Sequence, residues 1–115
     1  RELPRLASPD MSRAYDKLVR DDIPELLRRD GKRVETHTAA ADEYVERLDA
    51  KLDEEIAEYR EDGSLEELAD VLEVVYALAA AEGATRSELE ELRAQKAERN
   101  GRFIDRIVLE SVGEE

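Results

Sequence analysis

The stretch VLEVVYALAAA, residues 71–81, carries a single charge, Glu73, in a chain whose residues are 43% charged. A segment this apolar has to be covered by other apolar surface, and its length and composition suit a helix. Ser64 is placed to cap that helix and Gly83 to stop it. It is expected to be the most buried element of the fold.

The rest of the chain reads as partners for it. From about Asp42 to Asp62 an amphipathic helix sets Val45, Leu48, Leu52, Ile56 and Tyr59 at helical spacing, and Gly63 breaks it. So tight a connection makes the two helices an antiparallel hairpin. Upstream, Pro24 fits the first turn of a short helix that Gly31 ends. Downstream, Thr85-x-x-Glu88 resembles a capping box opening a fourth helix, which ends near Gly101. Residues 33–37 and the β-branched tail 103–110 read as short extended or β elements that could pair. The predicted class is therefore mainly α, a small antiparallel helical bundle with a minor extended element. A length of 115 residues suits one domain. That domain is read as 11–115, starting at Met11, and residues 1–10 as a tag or disordered extension.

Composition narrows the function classes. The net charge is −13, and Lys17, Lys32, Lys51 and Lys96 are the only lysines, Arg supplying the other cations. An acid-rich, lysine-poor surface over a core pattern fits a cytoplasmic protein adapted to high salt. Polymeric nucleic acid and anionic membrane are poor partners for such a charge. The absence of cysteine excludes disulfides and thiolate zinc sites. No apolar run reaches membrane-spanning length, and no signal-peptide pattern is present.

Acids at Glu55-x-x-Glu58 and Glu67-x-x-Asp70 flank the hairpin turn. As a string this means little, because four acidic positions match about once in 200 registers of so acidic a chain. Placement is more telling. At about 100° per residue, Leu65, Leu68, Leu72, Val75 and Ala79 form the central apolar stripe of the third helix. Glu67 leads a second stripe with Val71, Val74 and Leu78, and Asp70 a third with Val74, Ala77 and Ala81. Glu66 and Glu73 point to the polar side. Glu55 flanks the apolar stripe of the second helix, with Glu58 further round and Glu54 nearly opposite. Glu58 and Glu67 lie equally far from the turn, as do Glu55 and Asp70. Buried carboxylates are costly unless paired or metal-bound, and an all-oxygen set suits Mg²⁺ or Mn²⁺. The alternative is structural: Ser64 and Glu67 themselves form a capping box, and acids near a helix N-terminus favour its dipole.

Four ordered blocks add to this: KLVRDDIPE at 17–25, EEIAE at 54–58, EELADVLEV at 66–74 and KAERNGRF at 96–103. Together, from Tyr15 to Leu109, they resemble the small MazG-related proteins, all-α nucleoside triphosphate pyrophosphohydrolases that include phosphoribosyl-ATP pyrophosphohydrolase. The resemblance implies Mg²⁺ held by Glu55, Glu58, Glu67 and Asp70. It implies hydrolysis of a nucleotide at the α–β phosphoanhydride, with Glu54 or Glu58 orienting the water. Lys17, Arg20, Lys96 and Arg99 are the candidate substrate cations, with Arg102 a further one. Two departures bear on substrate contacts: Asp22 stands where the family has lysine, and R-G-G-F is altered across residues 99–103. The substrate is left between a nucleoside triphosphate and phosphoribosyl-ATP, and a non-catalytic helical binding module is the alternative outside the enzymes. So apolar a third helix also predicts a homodimer or higher homo-oligomer. His37, the lone histidine, is read as structural or surface. Tyr15, Tyr44 and Phe103 could stack on a base, whereas Tyr59 sits at core spacing.

Overall fold

A computed structural model describes residues 16–114. The 1–10 extension, Met11 and Tyr15 fall outside the described residues. The chain is mainly helical, with α1 (Ile23–Arg29), α2 (Ala41–Asp62), α3 (Leu65–Ala81) and α4 (Arg86–Asn100). None of these helices is long and apolar enough to cross a membrane. Two compact units divide the chain between Leu78 and Ala79.

The first unit holds α1, α2 and most of α3. Pro24 lies in the opening turn of α1, where its missing N–H costs no helical bond. Asp22 is the N-cap of α1, a position that suits a negative charge. Gly63 ends α2 in the left-handed region at φ 66°, donating its N–H to Tyr59 O at 2.6 Å. One residue later α3 begins, with Ser64 Oγ accepting from the Glu67 N–H at 3.3 Å. Carboxylate oxygens of Glu55 and Asp70 lie within 4.8 Å although the residues are far apart in sequence, so the chain doubles back as expected.

The buried positions are unusual. Among the described residues, Ile23, Leu48 and Val74 are the buried apolar side chains, and Glu55 and Glu67 are the buried charged ones. The expectation that α3 is the most buried element holds along part of its length: Glu67 and Val74 are buried and residues 75–79 half-buried, while its leucines at 65, 68 and 72 are not. Its leucine stripe faces outward, with Leu65 81%, Leu68 43% and Leu72 46% exposed. Instead it turns inward the stripe led by Glu67, in which Val74 is buried and Val71 and Leu78 are half-buried. Periodicity identified three adjacent apolar stripes, and a flanking one is the more buried over the first turns of the helix.

The second unit contains the last turn of α3, a turn at Gly83, α4 and the tail. The Thr85–Glu88 capping box is fully formed: Glu88 N–H donates to Thr85 Oγ1 at 3.1 Å and Thr85 N–H to Glu88 Oε1 at 2.8 Å. Gly101 terminates α4 as read from sequence, its N–H bonded to Ala97 O.

No strand forms among the described residues, so the β reading of 33–37 and 103–110 is corrected. A short β-branched segment is stable as a strand only with a ladder partner, and neither segment forms one. In the tail, Phe103, Ile104, Ile107, Val108, Leu109 and Val112 are all largely exposed.

Candidate metal centre

Helix α2 presents Arg47, Lys51, Glu54, Glu55 and Glu58 on one face, because spacings of three and four residues stack successive turns. The face changes sign along its length, cationic first and acidic after. Across the hairpin, α3 contributes Glu67 and Asp70 from its first two turns.

Two overlapping carboxylate triads result. One oxygen each from Glu55, Glu67 and Asp70 lie within 4.8 Å of one another, and the same holds for Glu54, Glu55 and Glu58. Glu55 is the shared member. The four sequence-predicted ligands are thus all at the hairpin, but Glu58 groups with Glu54 and Glu55 on α2 and not with the α3 pair.

Burial distinguishes this cluster from surface acid. Glu55 is 9% exposed and Glu67 7%. Glu55 Oε2 is buried with no hydrogen-bond partner, and its Oε1 has Lys51 Nζ at 3.7 Å. Removal from water raises the Glu55 pKa; Glu58 raises it further, Lys51 opposes, and Asp70 and Glu54 add to it. A buried carboxylate that lacks a donor and faces like charges fits a divalent cation bound by oxygen ligands. The capping interaction between Ser64 and the Glu67 N–H is present as well. It uses the backbone of Glu67, and the side chain remains a member of the triad.

Cations reach the cluster from the segment before α1. Arg20 Nη2 donates to Asp70 Oδ1 at 2.7 Å, and Lys17 Nζ to Glu54 Oε2 at 3.1 Å. Both residues were singled out from the sequence, and both meet acids of this cluster. Lys96 and Arg99 are exposed on α4, in the second unit. Arg102 is exposed beyond its C-terminus.

Sequence reasoning missed Lys51, whose Nζ lies 3.1 Å from Glu54 Oε2. Its i,i+3 and i,i+4 spacing to Glu54 and Glu55 was the available signal. Glu54, undecided from the sequence, anchors two ammonium groups. His37, for which no partner was apparent, contacts both Glu43 oxygens, at 2.9 and 3.2 Å.

No protein-family model matches the chain, and no solved structure matches it. Over 44 residues the chain is 57% identical to an uncharacterized protein of Mycolicibacterium smegmatis. That match covers 38% of this chain and 45% of the relative, so the likeness concerns a segment of each.

Proposed function

We propose that this chain is a Mg²⁺-dependent nucleotide pyrophosphohydrolase, cleaving the α–β phosphoanhydride of a nucleoside triphosphate or related nucleotide to a monophosphate and pyrophosphate. The observation that carries the reading is the hairpin triad. Two of the few side chains this fold buries are carboxylates, Glu55 and Glu67, and they converge with Asp70. The four motif blocks supply the reaction class through their resemblance to the MazG-related hydrolases.

Glu55, Glu67 and Asp70 hold the metal, with Glu58 completing the set from the α2 side. Mg²⁺ bound there would neutralise phosphate oxygens and lower the pKa of a water. Glu54 accepts from Lys17 and Lys51 and is engaged by them, so Glu58 is the residue that would orient the water and take its proton. Water oxygen bonds to the α-phosphorus as the bond to the bridging oxygen breaks, and pyrophosphate leaves. Arg20 positions Asp70 and meets the phosphates. The exposed Leu65, Leu68 and Leu72 face of α3 is covered by a second copy of the chain, as an apolar stripe in water requires.

The test is pyrophosphate release from a nucleotide panel that includes phosphoribosyl-ATP, in Mg²⁺ and high salt. Release from at least one nucleotide is expected. Activity no higher than that of an Asp70→Asn control on every substrate would refute the enzyme reading and leave a binding module.

A further inference from the structure

The segment from Asp16 to Arg20 precedes α1 and lies against the α2–α3 hairpin. Leu18 and Val19 at its middle are half-buried. On either side of them stand its two cations, and each meets an acid of a different triad. Lys17 Nζ donates to Glu54 Oε2 at 3.1 Å, on α2, and Arg20 Nη2 to Asp70 Oδ1 at 2.7 Å, on α3. The second pair joins residues 50 apart in the chain.

This segment is held at both ends by contacts outside the acid cluster. Upstream, Arg47 donates from Nη1 to Asp16 O at 3.0 Å and from Nη2 to Asp16 Oδ1 at 3.1 Å. Downstream, Arg20 O accepts from the N–H of Ile23, which is buried. The backbone therefore stays in place without the Arg20–Asp70 pair, whose side chains are 47% and 29% exposed. So exposed a pair contributes little to stability, and its guanidinium is free to leave.

What the pair supplies is charge. Oxygens of Asp70, Glu55 and Glu67 lie within 4.8 Å of one another, and like charges at that separation repel. Arg20 compensates Asp70 from the rim. Glu55 Oε2, 9% exposed as a residue, still has no hydrogen-bond partner, so the inner part of the triad is left for another cation. A divalent ion held there would sit beside a guanidinium of like sign that already engages one of its ligands.

We infer that Arg20 is the resident counter-ion of the Glu55–Glu67–Asp70 triad, competing with the divalent cation for Asp70 and so setting the cation affinity of the centre. The inference deepens the pyrophosphohydrolase reading and rests on its metal site. An arginine released from Asp70 stays tethered at the rim, where its planar fork matches phosphate oxygens. A polyphosphate that takes up Arg20 removes the competitor, so cation and polyphosphate bind cooperatively.

The experiment is calorimetric titration of the nucleotide-free full chain with Mn²⁺. Arg20→Met is expected to tighten Mn²⁺ binding about 2–10-fold, the scale of an exposed charge interaction. Arg20→Lys keeps the charge and should bind Mn²⁺ more weakly than Arg20→Met. Arg29→Met removes the same charge from α1, where Arg29 pairs with Glu25, and should bind as wild type does. Arg20 is exposed, so these substitutions leave the fold intact. Equal affinities of Arg20→Met and wild type would overturn the competition, as would an equal gain in Arg29→Met. Weaker binding by Arg20→Met would overturn it too and make Arg20 an orienting partner of Asp70. In each of these cases the metal site itself stands. Binding by Arg20→Met where the wild type binds nothing would support the competition, and binding by neither would end both it and the metal site.

Discussion

Replacing Glu55 with glutamine should stabilise the metal-free protein and destabilise the metal-bound one relative to wild type. Glu55 has carboxylate oxygens of Glu67 and Asp70 within 4.8 Å on one side and of Glu54 and Glu58 on the other. At that separation one like-charged pair costs about 3.5 kcal/mol with an effective dielectric of about 20. Arg20 offsets Asp70 at 2.7 Å, and Lys51 attracts Glu55 from 3.7 Å, so most of the sum cancels. The remaining repulsion and the burial of an Oε2 that receives no donor leave a net gain of about 1–3 kcal/mol for the neutral isostere. With divalent cation at about 100 times its dissociation constant, wild type gains about 2.7 kcal/mol by linkage, and the variant, short of one carboxylate ligand, gains far less. The order of stability therefore reverses. Thermal melts in EDTA and in excess Mn²⁺, at one fixed ionic strength, measure both arms. The reasoning fails if Glu55→Gln melts below wild type in EDTA, or if Mn²⁺ raises the two melting temperatures equally.

Gly63→Ala should cost about 1–2 kcal/mol in urea unfolding, because φ is 66°. An added Cβ would meet nothing within 4 Å, so the cost is purely conformational. A midpoint equal to wild type would refute the turn geometry. At Glu43 the His37 hydrogen bond holds the carboxyl below the usual glutamate range, with Arg47 assisting. Its contribution to stability is therefore complete above the ordinary glutamate pKa and lost as pH falls through the depressed one. His37→Ala should move the Glu43 midpoint upward in an NMR titration, and an unmoved midpoint would contradict the contact. Leu72→Arg places a charge on the exposed α3 stripe and should shift the sedimenting species from dimer to monomer. A wild-type monomer would remove the second copy from the proposal.

How much of this was legible depended on whether the determining interaction was local. Gly63, Ser64 and the Thr85–Glu88 box act within one turn of their own backbone, so the ends of α2, α3 and α4 could be read from the residues present. The orientation of α3 could not, because its three adjacent stripes are all apolar enough to face a core. Which one turns inward depends on what α2 presents, and α2 presents Glu55 beside Leu48 and Ile56. The strand reading failed for a related reason, since β-branched residues at 103–110 state a preference that only a ladder partner can realise. The same dependence explains Lys51. Viewed along α2 it is an ordinary i,i+4 partner of Glu55, an interaction worth a few tenths of a kcal/mol on an isolated helix. Its neighbour at that oxygen of Glu54, Lys17, arrives from a segment 37 residues before Glu54 in the chain. Exposure of the leucine stripe and burial of the glutamates then have one cause. A helix that turned its leucines toward α2 would carry Glu67 and Asp70 away from Glu55, and no triad would form. The carboxylate cluster is assembled at the expense of leucine burial within one chain, and the second copy proposed above would cover the displaced leucines.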